Sequence, residues 1–234
     1  MKENIKISLS LFFDIIVVSV MCLILSVSLS FLSMAVFKGG YEAYVSDEKG
    51  NSIETYKYNG EGEDTLLAEY ESKGYKVQKV NVTSKTGEVV DFIVYTVFAL
   101  IILMTFVYYK LYPVGNKDFN AVKCGHKPED KLRGLKIGSI ASSLHILFYI
   151  SMVVLKFAKP DFSVGYYKIV NIIYFKILNV AMGSTTLADV PPWGFIVMLL
   201  PLCVVPLIAH ISYTLGYKDI KISDKLKYKK GEIK

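Results

Sequence analysis

Four long apolar runs set the strongest constraint on how this chain folds. A bilayer core about 30 Å thick is crossed by about 20 helical residues, and each run reaches that length. We expect the membrane-spanning helices within residues 1–37, 89–110, 137–157 and 193–217. The predicted fold class is therefore a membrane all-α bundle of four transmembrane helices, with a small extracytoplasmic α/β domain inserted into it.

The first run begins beside Lys2 and Lys6, as the start of a signal peptide would. Its apolar stretch is much longer than the roughly 7–15 residues of a signal-peptide core, and no small-residue cleavage pattern stands out in it. We therefore expect this segment to be retained as the first transmembrane helix.

The distribution of lysine predicts the orientation, because positively charged segments stay on the cytoplasmic side. The loop at 111–136 and the tail at 218–234 are rich in lysine, whereas residues 38–88 carry seven lysines and ten acids, a net charge of −3. Both termini are predicted to be cytoplasmic, and residues 38–88 and 158–192 to be outside. The lysines favour contact with anionic lipid headgroups of the bilayer.

Residues 38–88 predict a small α/β domain, because short alternating apolar segments are separated by turn residues. The predicted elements are, in order, a strand from Tyr41, a strand over Ser52–Tyr58, a helix from Asp64 or Thr65 to Gly74, and a strand over 75–82 with a bulge between Val77 and Val80.

A domain of about 50 residues rarely buries enough apolar surface to be stable alone. Its region contains none of the three cysteines, Cys22, Cys124 and Cys203, so no disulfide can reinforce it. We therefore expect the domain to pack against the segment at 158–192 or against a partner protein.

Part of the second outer segment, residues 166–182, is apolar enough to suggest a fifth span. Its polar residues recur at helical spacing and would form one stripe, as in an amphipathic helix that lies in the membrane interface. A fifth span would also move the lysine-rich tail outside. We predict an interfacial helix, with a re-entrant helix as the alternative. The stripe consists of Lys168, Asn171, Lys176 and Asn179.

Three ionisable residues interrupt the apolar runs: Asp14, His145 and His210. Each lies eight or nine residues from a flanking lysine, which at about 1.5 Å per residue places all three at a similar depth. Such residues are costly in a membrane and suggest a function. Three interpretations stay open: proton or ion handling, a divalent metal site, or an Asp–His hydrogen bond that ties helices together.

The chain contains one arginine, Arg133, in its predicted cytoplasmic loop. Arginine forms planar, bidentate pairs that lysine does not form. Asp118 or Asp130 is therefore expected to pair with Arg133 and order the loop. A lipid phosphate is the alternative partner.

Sequence motifs for catalysis or nucleic-acid binding do not emerge: there is no glycine-rich phosphate loop, nucleophile elbow or HExxH. No catalytic residue, cofactor, metal ligand or nucleic-acid partner is predicted. The leading hypothesis is a non-enzymatic accessory or interaction component that presents its outer domain to a membrane protein partner or a homo-oligomer. The alternative is a small oligomeric transporter that uses Asp14, His145 and His210, and a membrane enzyme ranks third.

Two stretches of the sequence carry a resemblance. Gly115–Asn120 (GNKDFN), followed by Cys124-Gly125-His126 and Arg133-Gly134, and a tail that begins Gly216-Tyr217-Lys218, resemble an uncharacterised group of four-span membrane proteins of Gram-positive gut bacteria. The resemblance implies a bacterial plasma membrane. It implies no catalytic residues.

Overall fold

The computed structural model describes residues 2–46, 52–58, 64–183 and 186–220, which are mostly helical. The strands are β1 (Lys38–Ser46), β2 (Ser52–Tyr58) and β3 (Lys76–Thr83). The helices are α1 (Lys2–Val36), α2 (Asp64–Ser72), α3 (Lys85–Lys123), α4 (Arg133–Ala141), α5 (Ser143–Ala158), α6 (Gly165–Val170), α7 (Phe175–Met182), α8 (Pro192–Val197) and α9 (Leu200–Tyr217).

Within the described residues, three helical segments are long and apolar enough to cross a membrane: α1, α3, and α8 with α9 over Pro192–Tyr217. Helices α4 and α5 pass the same test together, although they are bent by 53°. The bend falls at the Ser142–Ser143 pair, and small polar residues are among the usual sites of sharp helix kinks. These helices indicate a multi-pass membrane protein with three spans, or four if the bent pair crosses as one.

Helix α3 continues to Lys123, well past the predicted end of the second span at residue 110. Its added turns remain helical because they bury one face: Leu111, Gly115 and Asp118 recur at helical spacing and are all buried. The predicted loop at 111–136 is therefore reduced to the residues between Lys123 and Arg133.

The chain divides into two compact units, Ile24–Tyr95 and a helical unit of Met1–Leu23 with Thr96–Lys234. In the first unit the three strands form an antiparallel sheet in the order β2-β1-β3. Ala43 and Val45 of β1 are fully buried. Helix α2 ends before Gly74, whose φ of 85° is a conformation that glycine adopts most readily.

The strand and helix predictions for this unit are confirmed, but the predicted bulge is wrong. Pairing between β1 and β3 is continuous from Val77 through Val80. The irregularity lies in β1 between Lys38 and Tyr41, where Gly40 has a φ of 99°. The turn residues that the sequence predicts between the first two strands lie outside the described residues.

In the helical unit, α1 and α3 each bury one narrow stripe and expose large apolar side chains elsewhere. Leu11, Ile15 and Val18 of α1 are buried, whereas Phe13 and Val20 are about half exposed. Exposed apolar side chains on this scale suit a lipid environment. The buried stripes fix which faces of the helices meet.

Residues 166–182 form two short helices and a 3-10 turn at Ile172–Tyr174, instead of one amphipathic helix. The break falls at Asn171, with φ −105° and ψ 40°. Lys168 and Asn171 of the expected polar stripe are buried, and Lys168 Nζ donates to Asn179 Oδ1 at 2.9 Å. Burial lowers the pKa of Lys168. The interfacial or re-entrant placement of the segment stays a prediction.

Candidate functional site

The most developed polar site centres on Arg133, the first residue of α4, which is only 2% exposed. Its Nη1 donates to both carboxylate oxygens of Asp118 on α3, at 2.5 Å. Its Nε donates to Asn4 Oδ1 of α1 at 2.8 Å, and Nη2 forms an ion pair with Glu3 Oε2 at 2.9 Å. Each nitrogen of the guanidinium therefore faces a protein oxygen, which argues against a lipid phosphate as its partner.

Asp118, like Arg133, interacts with several side chains. Its Oδ1 accepts a hydrogen bond from Lys127 Nζ at 2.9 Å, and its Oδ2 accepts one from the Tyr213 hydroxyl of α9 at 2.8 Å. A buried ion pair is stabilised when further hydrogen bonds satisfy both partners. Asp118 meets that condition, and Nε and Nη1 of Arg133 donate hydrogen bonds, whereas its buried Nη2 has only the ion pair with Glu3. We call these side chains the Arg133 node: Glu3, Asn4, Asp118, Lys127, Arg133 and Tyr213.

The node joins α1, α3, α4 and α9, together with the loop before α4. Of the two carboxylates expected to pair with Arg133, the structure selects Asp118. The Asp130 side chain instead pairs with Lys136 at 2.9 Å in an exposed position. Such exposed pairs contribute little, so the ordering of the loop depends on Asp118.

Glycines let the helices that carry the node approach each other closely. A Cβ at Gly134 of α4 would lie 2.6 Å from the Tyr213 Cβ, and one at Gly138 would lie 2.7 Å from the Ala209 Cβ. A Cβ at Gly216 of α9 would collide with the Tyr112 carbonyl of α3. The spacing Gly134-xxx-Gly138 thus serves contact between helices of one chain.

A second set of hydrogen bonds joins α3 to Asp219, which follows α9, and no sequence pattern indicated it. Asp219 has a φ of 51°, a left-handed conformation that ends α9. Its Oδ1 accepts hydrogen bonds from Asn116 Nδ2 at 2.9 Å and the Tyr112 hydroxyl at 3.2 Å. These bonds hold the end of α9 against α3.

The intramembrane layer predicted from Asp14, His145 and His210 is not brought together. Asp14 forms an ion pair with Lys110 Nζ at 3.0 Å, and both side chains are about one-third exposed. These two residues line one pocket of about 430 Å³. Lys110 lies on α3, where it faces Asp14 of α1.

His145 and His210 line two other pockets, of about 280 and 580 Å³. His145 is 7% exposed and lies beside Asn171. The Nδ1 atoms of both histidines are buried and have no hydrogen-bond partner within the described part of the chain. Among the described residues no three His, Cys, Asp or Glu side chains are grouped so that they could hold a metal ion.

At the other end of α5, Lys156 organises a loop. Its Nζ donates to the carbonyl oxygens of Leu187, Ala188 and Val190 at 2.5, 2.8 and 3.3 Å. The same ammonium lies 5.8 Å from the centroid of the Phe195 ring. A lone lysine at the end of an apolar run gives no sequence signal of this role.

A buried tyrosine stabilises the break between α8 and α9. The hydroxyl of Tyr167, which is fully buried, donates to the Met198 carbonyl at 2.6 Å. Breaking a helix in a membrane leaves carbonyls without helical partners, so other groups must satisfy them. Tyr167 supplies that bond from α6.

Comparison with known proteins finds nothing similar: no family model, curated protein or solved structure matches the chain. The site must therefore be interpreted from its geometry. Arg133 and Asp118 are each held by several partners, and a guanidinium does not lose its proton in proteins. The arrangement is suited to fixing helices in place.

Proposed function

We propose that this chain is an integral membrane protein that acts as a non-enzymatic accessory or interaction component and presents residues 38–88 to a partner protein. The observation that carries the proposal is that the carboxylates Asp118 and Asp14 are paired with basic side chains of neighbouring helices. Asp118 and Asp14 are bound by Arg133 and Lys110 across helix pairs. Such pairing supports a rigid scaffold rather than a transport path through these residues.

The surface offered to a partner is one face of the sheet. Ala43 and Val45 point to the buried face of the sheet. Tyr44, which lies between them in β1, points to the opposite face because side chains alternate along a strand. There Tyr44 lies between Thr55 of β2 and Gln78 of β3, and Val80 follows along β3. All four side chains are exposed. We call Tyr44, Thr55, Gln78 and Val80 the open sheet face.

The open sheet face combines features that favour binding. Tyrosine is enriched in protein interfaces, where its ring packs while its hydroxyl forms hydrogen bonds. The Tyr44 hydroxyl donates to Glu42 Oε2 at 2.6 Å, which restricts its ring before any partner binds. The segment at 158–192 remains the intramolecular alternative for covering this domain.

Site-specific photo-crosslinking tests the proposal in native membranes. A photo-reactive amino acid replaces Gln78 or Val80 in the full chain, and Glu71, an exposed residue of α2, serves as the matched control position. We expect a discrete adduct of higher mass from the sheet positions and none from Glu71. An adduct of twice the chain mass identifies a homo-oligomer.

A chain that stays monomeric after irradiation at every position contradicts the proposal. An intramolecular crosslink between the sheet and the 158–192 segment, found by peptide mapping, also contradicts it. In that case the domain would be covered by its own chain.

We further propose a bacterial plasma membrane with both termini in the cytoplasm. The lysine-rich segments and the resemblance to four-span proteins of Gram-positive bacteria support this orientation. Cys124, which is exposed, and Thr55→Cys provide natural and engineered reporters. A membrane-impermeant maleimide should label Thr55→Cys in intact cells, and Cys124 only after permeabilisation. Labelling of Cys124 in intact cells overturns the orientation.

A further inference from the structure

The pocket of about 580 Å³ that His210 lines has features that the proposed function does not explain. Its walls include the aromatic rings of Phe119, Tyr213 and Tyr217. The Phe119 and Tyr217 rings meet edge to face at 5.8 Å, and the Tyr213 and Tyr217 rings stack at 6.1 Å. Its volume lies within the range of small-molecule sites, roughly 300–1,000 Å³.

Two lysines lie at the rim of this pocket. Lys131, before α4, and Lys218, after α9, are both exposed, and neither ammonium has a side-chain partner among the described residues. Glu129 also lines the pocket, so the lining carries two positive charges and one negative charge. The rim therefore favours an anion.

The pocket continues onto an apolar stripe of α9. Leu207, Ile211, Thr214 and Lys218 recur at intervals of three or four residues, so they share one face of the helix. Leu207 and Ile211 are each more than half exposed. An acyl chain can lie along these residues while its headgroup occupies the pocket.

His210 lies further along α9 in the lining of the pocket. It precedes Lys218 by eight residues, or about 12 Å along the helix. Its Nδ1 is buried, so the histidine contributes its ring to the wall of the pocket and no polar contact from that atom.

We infer that the pocket binds one anionic glycerophospholipid, whose phosphate contacts Lys131 and Lys218 and whose acyl chain follows Leu207 and Ile211. The glycerol region lies against the aromatic rings. The aromatic lining and the opening onto an exposed apolar stripe favour a lipid over a free anion. The inference requires that α9 crosses a bilayer, but it is independent of what the open sheet face binds.

Native mass spectrometry of the full chain in detergent tests this inference. Phosphatidylglycerol is titrated as the probe, and phosphatidylcholine and inorganic phosphate are the comparison ligands. We expect one phosphatidylglycerol to bind more tightly than phosphatidylcholine, and inorganic phosphate not to displace it. The double variant Lys131→Gln/Lys218→Gln should bind roughly thirtyfold more weakly, because each of the two lysines near an anionic lipid contributes about one kcal/mol.

Two further variants separate the site from general charge. Lys117→Gln/Lys123→Gln removes the same charge from exposed positions of α3 and should retain the affinity. Thr214→Trp fills the pocket without changing charge and should abolish tight binding. Thermal unfolding confirms that each variant is folded.

Three results would overturn the inference. They are equal affinity for the two phospholipids, equal weakening by the two double variants, and unchanged binding by Thr214→Trp. Displacement of phosphatidylglycerol by inorganic phosphate would assign the pocket to a soluble anion instead.

Discussion

The Arg133 node and the buried polar residues His145, Asn171 and Tyr174 belong to the same helical unit, yet their hydrogen-bond acceptors differ. In the node, both oxygens of Asp118 accept hydrogen bonds from two donors each. In the second set, the buried atoms His145 Nδ1, Asn171 Oδ1 and Tyr174 Oη have no hydrogen-bond partner within the described part of the chain.

The difference follows from the position of each residue in the fold. The charged groups of Arg133 and Asp118 can each form several hydrogen bonds, and the two side chains lie between neighbouring helices. Asn171 and Tyr174, in contrast, occupy helix boundaries in the 165–182 segment. The amide of Asn171 donates to the Tyr167 carbonyl within its own turn, at 3.0 Å. One region uses polar side chains to join helices, and the other uses them to shape breaks in the backbone.

Among the variants that test this comparison, removal of the Asp118 side chain should lower the stability of the protein most. Asp118→Ala leaves the Arg133 guanidinium buried without its main counter-charge, which should lower the free energy of unfolding by about 3–5 kcal/mol. Thermal unfolding of the full chain in detergent, followed by circular dichroism, measures the loss. Asp130→Ala, which removes an exposed pair, is the matched control and should cost about 1 kcal/mol or less.

A double variant sharpens this test. Arg133→Met/Asp118→Leu replaces the buried pair with apolar side chains and should recover much of the stability, because no charge is then left unpaired. If Asp118→Ala and Asp130→Ala have the same effect, the node does not stabilise the helices.

Removing Lys156 should have an intermediate effect. Lys156→Met leaves the Leu187, Ala188 and Val190 carbonyls without their donor, at a cost of about 1–3 kcal/mol. Hydrogen exchange at the Leu187 and Ala188 amides, which donate to Phe162 and Pro160, should accelerate. Lys159→Met, at an exposed position nearby, should leave that exchange unchanged; equal acceleration in both variants would remove the role assigned to Lys156.

His145→Phe should have the smallest effect. Its Nδ1 makes no hydrogen bond, so a ring of similar size should change the free energy of unfolding by no more than about 1 kcal/mol. Proton flux into proteoliposomes should also be the same for this variant and the unmodified chain. A destabilisation as large as that of Asp118→Ala would show that the interaction of His145 with the neighbouring Asn171 is a main stabilising contact, and a loss of flux would show a transport role.

The sequence alone determined the apolar segments and the order of strands and helix in the α/β unit. It also named Asp118 and Asp130 as candidate partners of Arg133, with a lipid phosphate as the alternative. These features depend on hydropathy, local periodicity and turn residues, which are properties of neighbouring positions in the chain. The same information predicted the depths of Asp14, His145 and His210, because depth depends on distance along a helix.

Only the tertiary structure decided which helix faces meet. It paired Asp14 with Lys110, selected Asp118 for Arg133, and placed His145 and His210 in separate pockets. Those outcomes depend on rotation of each helix about its axis and on close approach at Gly134 and Gly216. Both are set by packing between segments distant in sequence, so local patterns do not specify them.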